Sequence, residues 1–204
     1  TTVSGGTLKV NGALGACPVS VASGAVLAGS GVIGGAVNVS GALSPGNSAG
    51  ILTINNDLTL LAGSTLDLEI NGETAGSQYD QLMVNGNVLL AGDLSLDFGE
   101  FQPTANAMLF LINNTGETTT TTGLLSYLGA DLADNALVGN FNGVPWFITY
   151  DANYGAASLS GGNDVALYTV PEPSTLALAA ASLLGLLTIA WSRKRKHPTA
   201  SRLN

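Results

Sequence analysis

Residues 82–98 have the sequence LMVNGNVLLAGDLSLDF, in which apolar and polar side chains alternate. Successive side chains of a β-strand point to opposite faces, so this period of two predicts short strands with one buried face. Gly86 and Gly92 interrupt the alternation and are predicted to lie in turns. The positions predicted to point inward are the even-numbered ones, namely Leu82, Val84, Val88, Leu90, Leu94, Leu96 and Phe98.

The preceding segment, residues 52–70, shows the same alternation. Its apolar side chains are again at even positions, namely Leu52, Ile54, Leu58, Leu60, Leu66, Leu68 and Ile70. Four odd-numbered carboxylates are then predicted to point outward, where stacked strands could align them: Asp67, Glu69, Asp93 and Asp97. A solvated acidic face is the main interpretation, with calcium binding and carboxylate-pair glycoside hydrolysis as alternatives.

A short strand-and-turn unit recurs along the first half of the chain. LKVNG begins at Leu8, VNVSG at Val37, LTINN at Leu52, LEING at Leu68 and LMVNG at Leu82. The spacings are 29, 15, 16 and 14 residues, which indicates a unit of about 15 with one degenerate copy. Periodic strands with polar turns predict a β-solenoid, in which each coil buries its apolar face on the next. A β-sandwich would also produce short alternating strands and remains the alternative.

A family resemblance adds to this prediction. GALSPGNSAG at residues 41–50, followed by Leu52-Thr-Ile54 and by QYDQL at residues 78–82, resembles the autotransporter-associated β-strand repeat. The resemblance covers roughly residues 5–98. It implies a right-handed parallel β-helix of the kind found in secreted passenger domains. We therefore expect an all-β fold with β-solenoid repeats over residues 1–98.

Residues 99–169 have a less regular pattern and are predicted to form an irregular β region with capping strands. One strand is expected at 108–112, and closing strands are expected at 146–150, 157–159 and 165–168. Leucines at 124, 128 and 132 are four residues apart, which favours a short helix there. Residues 161–165, GGNDV, are similar to part of a calcium-binding nonapeptide, but a turn before the last strand is the preferred interpretation.

The end of the chain, residues 170–196, has the sequence VPEPSTLALAAASLLGLLTIAWSRKRK. Its two prolines make residues 170–174 stiff and extended, which suits binding in an enzyme cleft. Residues 174–191 are 18 uncharged residues, long enough as a helix to span roughly 27 Å of a membrane. The predicted anchor residues are Leu176, Leu178, Leu183, Leu184, Leu186, Leu187, Ile189 and the interfacial Trp191. A cytoplasmic basic cluster then follows, made of Arg193, Lys194, Arg195 and Lys196, before a short cytoplasmic tail at 197–204.

This three-part order resembles the PEP-CTERM sorting signal of Gram-negative bacteria. The sorting motif itself would be Val170, Pro171, Glu172, Pro173 and Ser174. In that family the signal is recognised by exosortase, a membrane-embedded protease with a cysteine nucleophile. The resemblance implies export, transient anchoring in the inner membrane, and delivery to the cell surface or extracellular matrix. An ordinary single-pass anchor is the alternative interpretation.

Charge and residue types narrow the function of the domain before this signal. Residues 1–169 hold 13 of the 14 acids and one base, Lys9, which gives a formal charge of −12. Such a surface argues against nucleic-acid binding. The same residues contain neither Arg nor His, which removes most acid–base and nucleophile pairs. We therefore predict no catalytic site, metal or cofactor, and a non-enzymatic structural protein of the surface or matrix. A glycan-binding adhesin that contacts extracellular polysaccharide is the runner-up, and a glycan-active β-helix enzyme is the third candidate.

Overall fold

The strands of the β domain are short and follow one another closely along the chain. A computed structural model describes residues 1–116 and 118–170, and within them there are 21 strands and no helix. In chain order they are β1 (Thr2–Val3), β2 (Gly6–Lys9), β3 (Ala13–Leu14), β4 (Val19–Val21), β5 (Ala25–Gly29), β6 (Val32–Ile33), β7 (Val37–Val39), β8 (Ala42–Pro45), β9 (Ile51–Ile54), β10 (Leu58–Leu60), β11 (Thr65–Glu69), β12 (Gln81–Val84), β13 (Val88–Leu90), β14 (Asp93–Asp97), β15 (Met108–Asn114), β16 (Thr121–Gly123), β17 (Ser126–Tyr127), β18 (Ala130–Asp131), β19 (Leu137–Phe141), β20 (Val144–Ala152) and β21 (Asp164–Thr169).

These strands form three sheets, and from β1 to β17 each successive strand lies in the next sheet. Sheet A has the order β1-β4-β7-β10-β13-β16. Sheet B has the order β2-β5-β8-β11-β14-β17-β18, and sheet C has β3-β6-β9-β12-β15-β21-β20-β19. Neighbours are parallel from β1 through β17. The chain therefore follows a three-faced solenoidal path, which confirms the all-β class and is incompatible with an antiparallel sandwich.

The coil, not the 15-residue unit, is the structural repeat. Val19 pairs with Val37, 18 residues on, whereas Val88 pairs with Thr121, 33 residues on. Leu52 pairs with Leu82 in sheet C, but the intervening motif at Leu68 lies in sheet B. The recurring motif therefore marks single strands on different faces, and the predicted 15-residue repeat is wrong as a coil length.

The core lies between the three sheets and is built from the predicted face of each strand. Of the fourteen even-numbered residues predicted to point inward, thirteen are buried and Leu96 is half-buried. Parallel pairing keeps these residues in layers, because Leu66 lies beside Leu94 and Leu58 beside Val88. The parity prediction is thus confirmed over residues 52–98, with partial exposure at one position.

Antiparallel strands end the stack on sheet C. β21 pairs antiparallel with β15 and with β20, so no further parallel coil follows on that face. Trp146 is fully buried, and its ring lies 5.1 Å from the ring of Phe98 in the last full coil. Phe141 stacks on the same Phe98 ring at 4.4 Å. Large aromatic rings at this end cover apolar side chains that the next coil would otherwise cover.

The structure corrects two predictions in the capping region. The strands expected at 108–112, 146–150 and 165–168 are present within β15, β20 and β21, but residues 157–159 form a turn whose only pairing is the isolated bridge Asn153–Ser158. The short helix inferred from the leucines at 124, 128 and 132 is wrong. That segment forms β16 to β18, because Ser126 pairs with Asp93 of β14, and Tyr127 with Ala130. Pairing with the preceding coil has overridden a weak helical spacing.

The predicted membrane helix at 174–191 and the basic cluster at 193–196 lie outside the described residues. Among residues 1–116 and 118–170 there is no helix long and apolar enough to cross a membrane.

Adjacent leucines in β13 provide a test of the inward face. Leu90 is 1 % exposed and Leu89 is 46 % exposed. Leu90→Asp should abolish folding, or cost more than about 4 kcal/mol, because it places an unpaired carboxylate in the core. The same change at Leu89 should cost about 1 kcal/mol or less, since its strand neighbours are Thr59 and Thr122. Urea unfolding of the two variants makes the comparison, and equal losses of stability would contradict the assigned faces.

Candidate functional site

Three surface depressions of the β domain border the outer face of sheet B. Their volumes are about 300, 370 and 240 Å³. The first lies at the carboxyl ends of the sheet B strands and is acidic, while the second lies beneath the β17–β18 hairpin. We call them the acidic depression and the hairpin depression. They contain the predicted outward carboxylates, so sheet B carries the candidate sites.

The predicted acidic ladder is present only in part. In the paired strands β11 and β14, Glu69 lies beside Asp97, but Asp67 lies beside Ser95. The Ser95 hydroxyl donates a hydrogen bond to Asp67 Oδ1 at 2.8 Å. Asp93 lies beside Thr65. Only one carboxylate pair is therefore stacked, because the alternate coil positions hold hydroxyl side chains.

At the acidic depression, Asp80 connects the two segments that resemble the autotransporter-associated repeat, residues 41–50 and residues 78–82. Its carboxylate is 4 % exposed and accepts the Gly50 N–H at 2.8 Å on Oδ1 and the Glu69 N–H at 2.9 Å on Oδ2. Gly46 has φ +91° and packs directly on this carboxylate, where any β-carbon would overlap Oδ1. The loop at 46–50 and the QYDQL segment thus depend on each other, although 30 residues separate Gly50 from Asp80.

Burial sets the charge state of Asp80. Desolvation raises the pKa of Asp80 from 3.8 to about 6, and the nearby negative charges of Glu69 and Asp67 act in the same direction. The two backbone N–H donors lower the pKa, but less than burial raises it. The alternation of the sequence correctly placed the carboxylates of β11 and β14 on the outer face, but it did not identify Asp80 as a buried residue that fixes a loop. The QYDQL motif at residues 78–82 was the feature of the sequence that could have indicated this role.

The hairpin depression combines an apolar tip with polar groups. Tyr127 is half-buried, and Leu128 at the hairpin tip is 89 % exposed. Leu128 has φ +51° and Gly129 has φ +79°, so both central residues of this two-residue turn are left-handed. Asp93 and Ser95 also line this depression. A bulky apolar residue is unfavourable both in the left-handed conformation and at this exposure to water. Leu128 is therefore a candidate binding residue.

The proposed calcium interpretations find little geometric support. Within residues 1–116 and 118–170, no three His, Cys, Asp or Glu side chains are grouped closely enough to hold a metal ion. Within the GGNDV segment, residues 161–163 form a bend, as preferred from sequence, and Asp164 and Val165 begin β21. Its Asp164 is 4 % exposed and accepts the N–H groups of Asn114 and Tyr154, each at 2.7 Å. Burial raises the pKa of the Asp164 carboxyl. Its oxygens connect β15, at Asn114, to the turn at Tyr154.

The sorting motif begins where the described chain ends. Val170 is 47 % exposed and directly follows β21. The other predicted signal residues, from Pro171 through the anchor and the basic cluster, lie outside the described residues.

Comparison with protein families decides what this end of the chain is. Residues 169–195 match the PEP-CTERM protein-sorting motif. This chain carries a PEP-CTERM sorting motif. The predicted bounds, 170–196, differ from the match by one residue at each end. The PEP-CTERM motif begins on the last residue of β21, so it is joined to the β domain without a linker.

The chain is also similar to a known adhesin. The adhesin BmaC autotransporter of Brucella suis biovar 1 (strain 1330) is 39% identical over 138 residues, which cover 60% of this chain and 4% of that protein. The chain therefore spans only a small part of the relative's length. The two comparisons thus show a PEP-CTERM sorting motif at residues 169–195 and similarity to a small part of an autotransporter adhesin.

The buried Asp80 carboxylate makes a pH-dependent prediction. Its folded-state pKa of about 6 lies above the unfolded value, so its favourable contribution is fully present below about pH 4 and is lost as the pH rises through 6. Asp80→Asn removes this dependence, and it also leaves one backbone N–H facing an amide donor. The variant should be less stable than the wild type throughout, with the gap wider by roughly 1–3 kcal/mol at pH 4 than at pH 7.

Urea unfolding at pH 4, 5, 6 and 7 measures this gap. Asp164 also has a raised pKa, but it is present in both proteins and cancels in the difference. Parallel stability curves for the wild type and the variant would contradict the role assigned to Asp80.

Proposed function

We propose that this chain is a non-enzymatic protein of the cell surface or extracellular matrix that exosortase sorts and cleaves at its C-terminal signal. The observation that carries the proposal is the PEP-CTERM motif at residues 169–195, placed directly after a folded β domain. An adhesin among the similar proteins supports the surface location. The β domain would be a right-handed β-helix, the hand expected for parallel crossovers.

The signal would act in the order of its parts. Residues 174–191 enter the inner membrane as a helix, and the cations at 193–196 stay on the cytoplasmic side because moving them across the bilayer is unfavourable. The acidic domain is then outside, with Pro171-Glu172-Pro173 at the outer membrane surface. A stiff, extended peptide loses little entropy on binding, which suits recognition by a membrane-embedded protease. Exosortase is thus the processing partner, and the protein is anchored in the inner membrane only until it is cleaved.

A non-enzymatic role is supported by how the buried carboxylates of the domain are used. Both oxygens of Asp80 accept backbone N–H groups, and so do both oxygens of Asp164. These groups stabilise loops, because each of their oxygens already accepts a backbone N–H. Lys9 is the only Lys, Arg or His residue in the sequence up to Thr169. A stack of coils with a polar outer surface suits a structural role.

A second candidate function is glycan binding as an adhesin. The hairpin depression supports it, because Tyr127 and Leu128 offer an apolar surface beside Asp93 and Ser95. Sugar rings present C–H faces and hydroxyl groups, which such a mixed site can contact together. The acidic surface disfavours polyanions, so the ligand would be a neutral polysaccharide.

The sorting proposal predicts the outcome of a motif substitution. Replacing Pro171, Glu172 and Pro173 together with alanine keeps the apolar anchor but removes the stiff recognition segment. The uncut, membrane-bound form should accumulate, whereas the wild type should lose its tail in a host that carries the cognate exosortase. Intact mass and cell fractionation measure both. A wild-type product that keeps its tail through Asn204 there would show an ordinary membrane anchor instead.

If the protein binds glycans at the hairpin depression, a substitution at Leu128 should weaken binding without reducing stability. Leu128→Gly removes the apolar tip but suits the left-handed conformation, so stability should stay unchanged or rise by up to about 1 kcal/mol. Affinity for any neutral glycan found on an array should fall roughly tenfold, about 1.4 kcal/mol. Leu137→Gly is the control, because Leu137 is 54 % exposed but lies in sheet C. Unchanged binding by Leu128→Gly would exclude the hairpin depression as the site.

A further inference from the structure

The last strand of the β domain is held on both sides. β21 lies between β15 and β20 in sheet C and is hydrogen-bonded to each of them. Val165, Ala166 and Leu167 are fully buried. Detaching this strand would break two ladders and expose core side chains, so it is not a segment that opens by itself.

The hold extends to the last residue of the strand. Thr169 pairs with Trp146, and its N–H donates to the Ala107 carbonyl at 3.0 Å. The Thr169 hydroxyl in turn accepts the Ala107 N–H at 3.0 Å, and Thr169 is 6 % exposed. The next residue, Val170, is half-exposed. The chain therefore changes from buried and hydrogen-bonded at Thr169 to half-exposed at Val170, the next residue.

Proline explains why the strand stops there. Pro171 has no N–H to donate, and it restricts Val170 to extended conformations, which agrees with the end of β21 at Thr169. The chain from Thr169 to Ser174 can reach at most about 18 Å even when fully extended. The sorting motif thus has no spacer between it and a fixed strand.

We propose that the folded β domain sets the upstream limit of the segment that a processing protease can use. This inference rests on the proposed exosortase processing and adds a boundary to it. A protease needs its substrate extended on both sides of the scissile bond, and cleavage within folded structure requires local opening. Bonds before Thr169 are held in the sheet, so the hydrolysed bond lies on the C-terminal side of Val170. The released protein keeps β21 whole, and the missing spacer makes access slow.

The test uses the full chain in a host with the cognate exosortase. One variant carries six Gly-Ser residues between Thr169, the last residue of β21, and Val170, the first residue of the sorting motif. A matched control carries the same six residues between Leu128 and Gly129, at the exposed hairpin tip, where the spacing from β21 to the motif is unchanged. Pulse–chase labelling measures the lifetime of the precursor, and intact mass gives the last residue of each product.

We expect the wild-type product to end at Val170 or beyond. The spacer variant should lose its precursor several-fold faster than the wild type, and the hairpin-tip control should match the wild type. A wild-type product ending before Val170 would overturn the boundary, as would equal precursor lifetimes in all three proteins. A tail kept through Asn204 in all three would instead overturn the proposed processing, and this inference with it.

Discussion

Parallel hydrogen bonding between successive coils is the constraint on which the rest of the β domain depends. It places each residue beside its counterpart one coil away, as with Leu66 and Leu94 or Leu58 and Val88. Because the pairing is in register, apolar residues stack into one core and outward residues stack into rows on the surface. A coil can lengthen from 18 to 33 residues without loss of register, since the additional residues enter the turns.

Long turns must be fixed to the stack, and buried carboxylates do this. Asp80 fixes the loop at 46–50 to the end of β11, and Asp164 fixes β15 to the turn at Tyr154. Each carboxylate satisfies two backbone N–H groups that would otherwise be unpaired in a partly buried turn. Desolvation raises the pKa of both groups, so the loop geometry is obtained at some electrostatic cost.

The β domain and the sorting motif adjoin in the sequence. The domain ends on a central strand, and the PEP-CTERM motif begins on that strand's last residue. The strand on which the motif begins is hydrogen-bonded on both sides, to β15 and to β20. The outer face of sheet B is the other surface that could bind a partner. Among the large hydrophobic side chains of residues 1–116 and 118–170, Leu128 at its hairpin tip is the most exposed, at 89 %.

Sequence alone determined the strand faces over residues 52–98 and the identity of the sorting motif, because both are local patterns: a period of two, and an ordered run of proline, apolar and basic residues. It did not determine the coil length, since the motif recurs twice between the paired residues Leu52 and Leu82 and nothing local says how many copies complete a coil. It also missed the β17–β18 hairpin, where the leucine spacing favoured a helix, and it missed Asp80. Only the tertiary structure decided these features, because Ser126 acquires its strand partner from β14 and Asp80 acquires its donor at Gly50, each about 30 residues away along the chain.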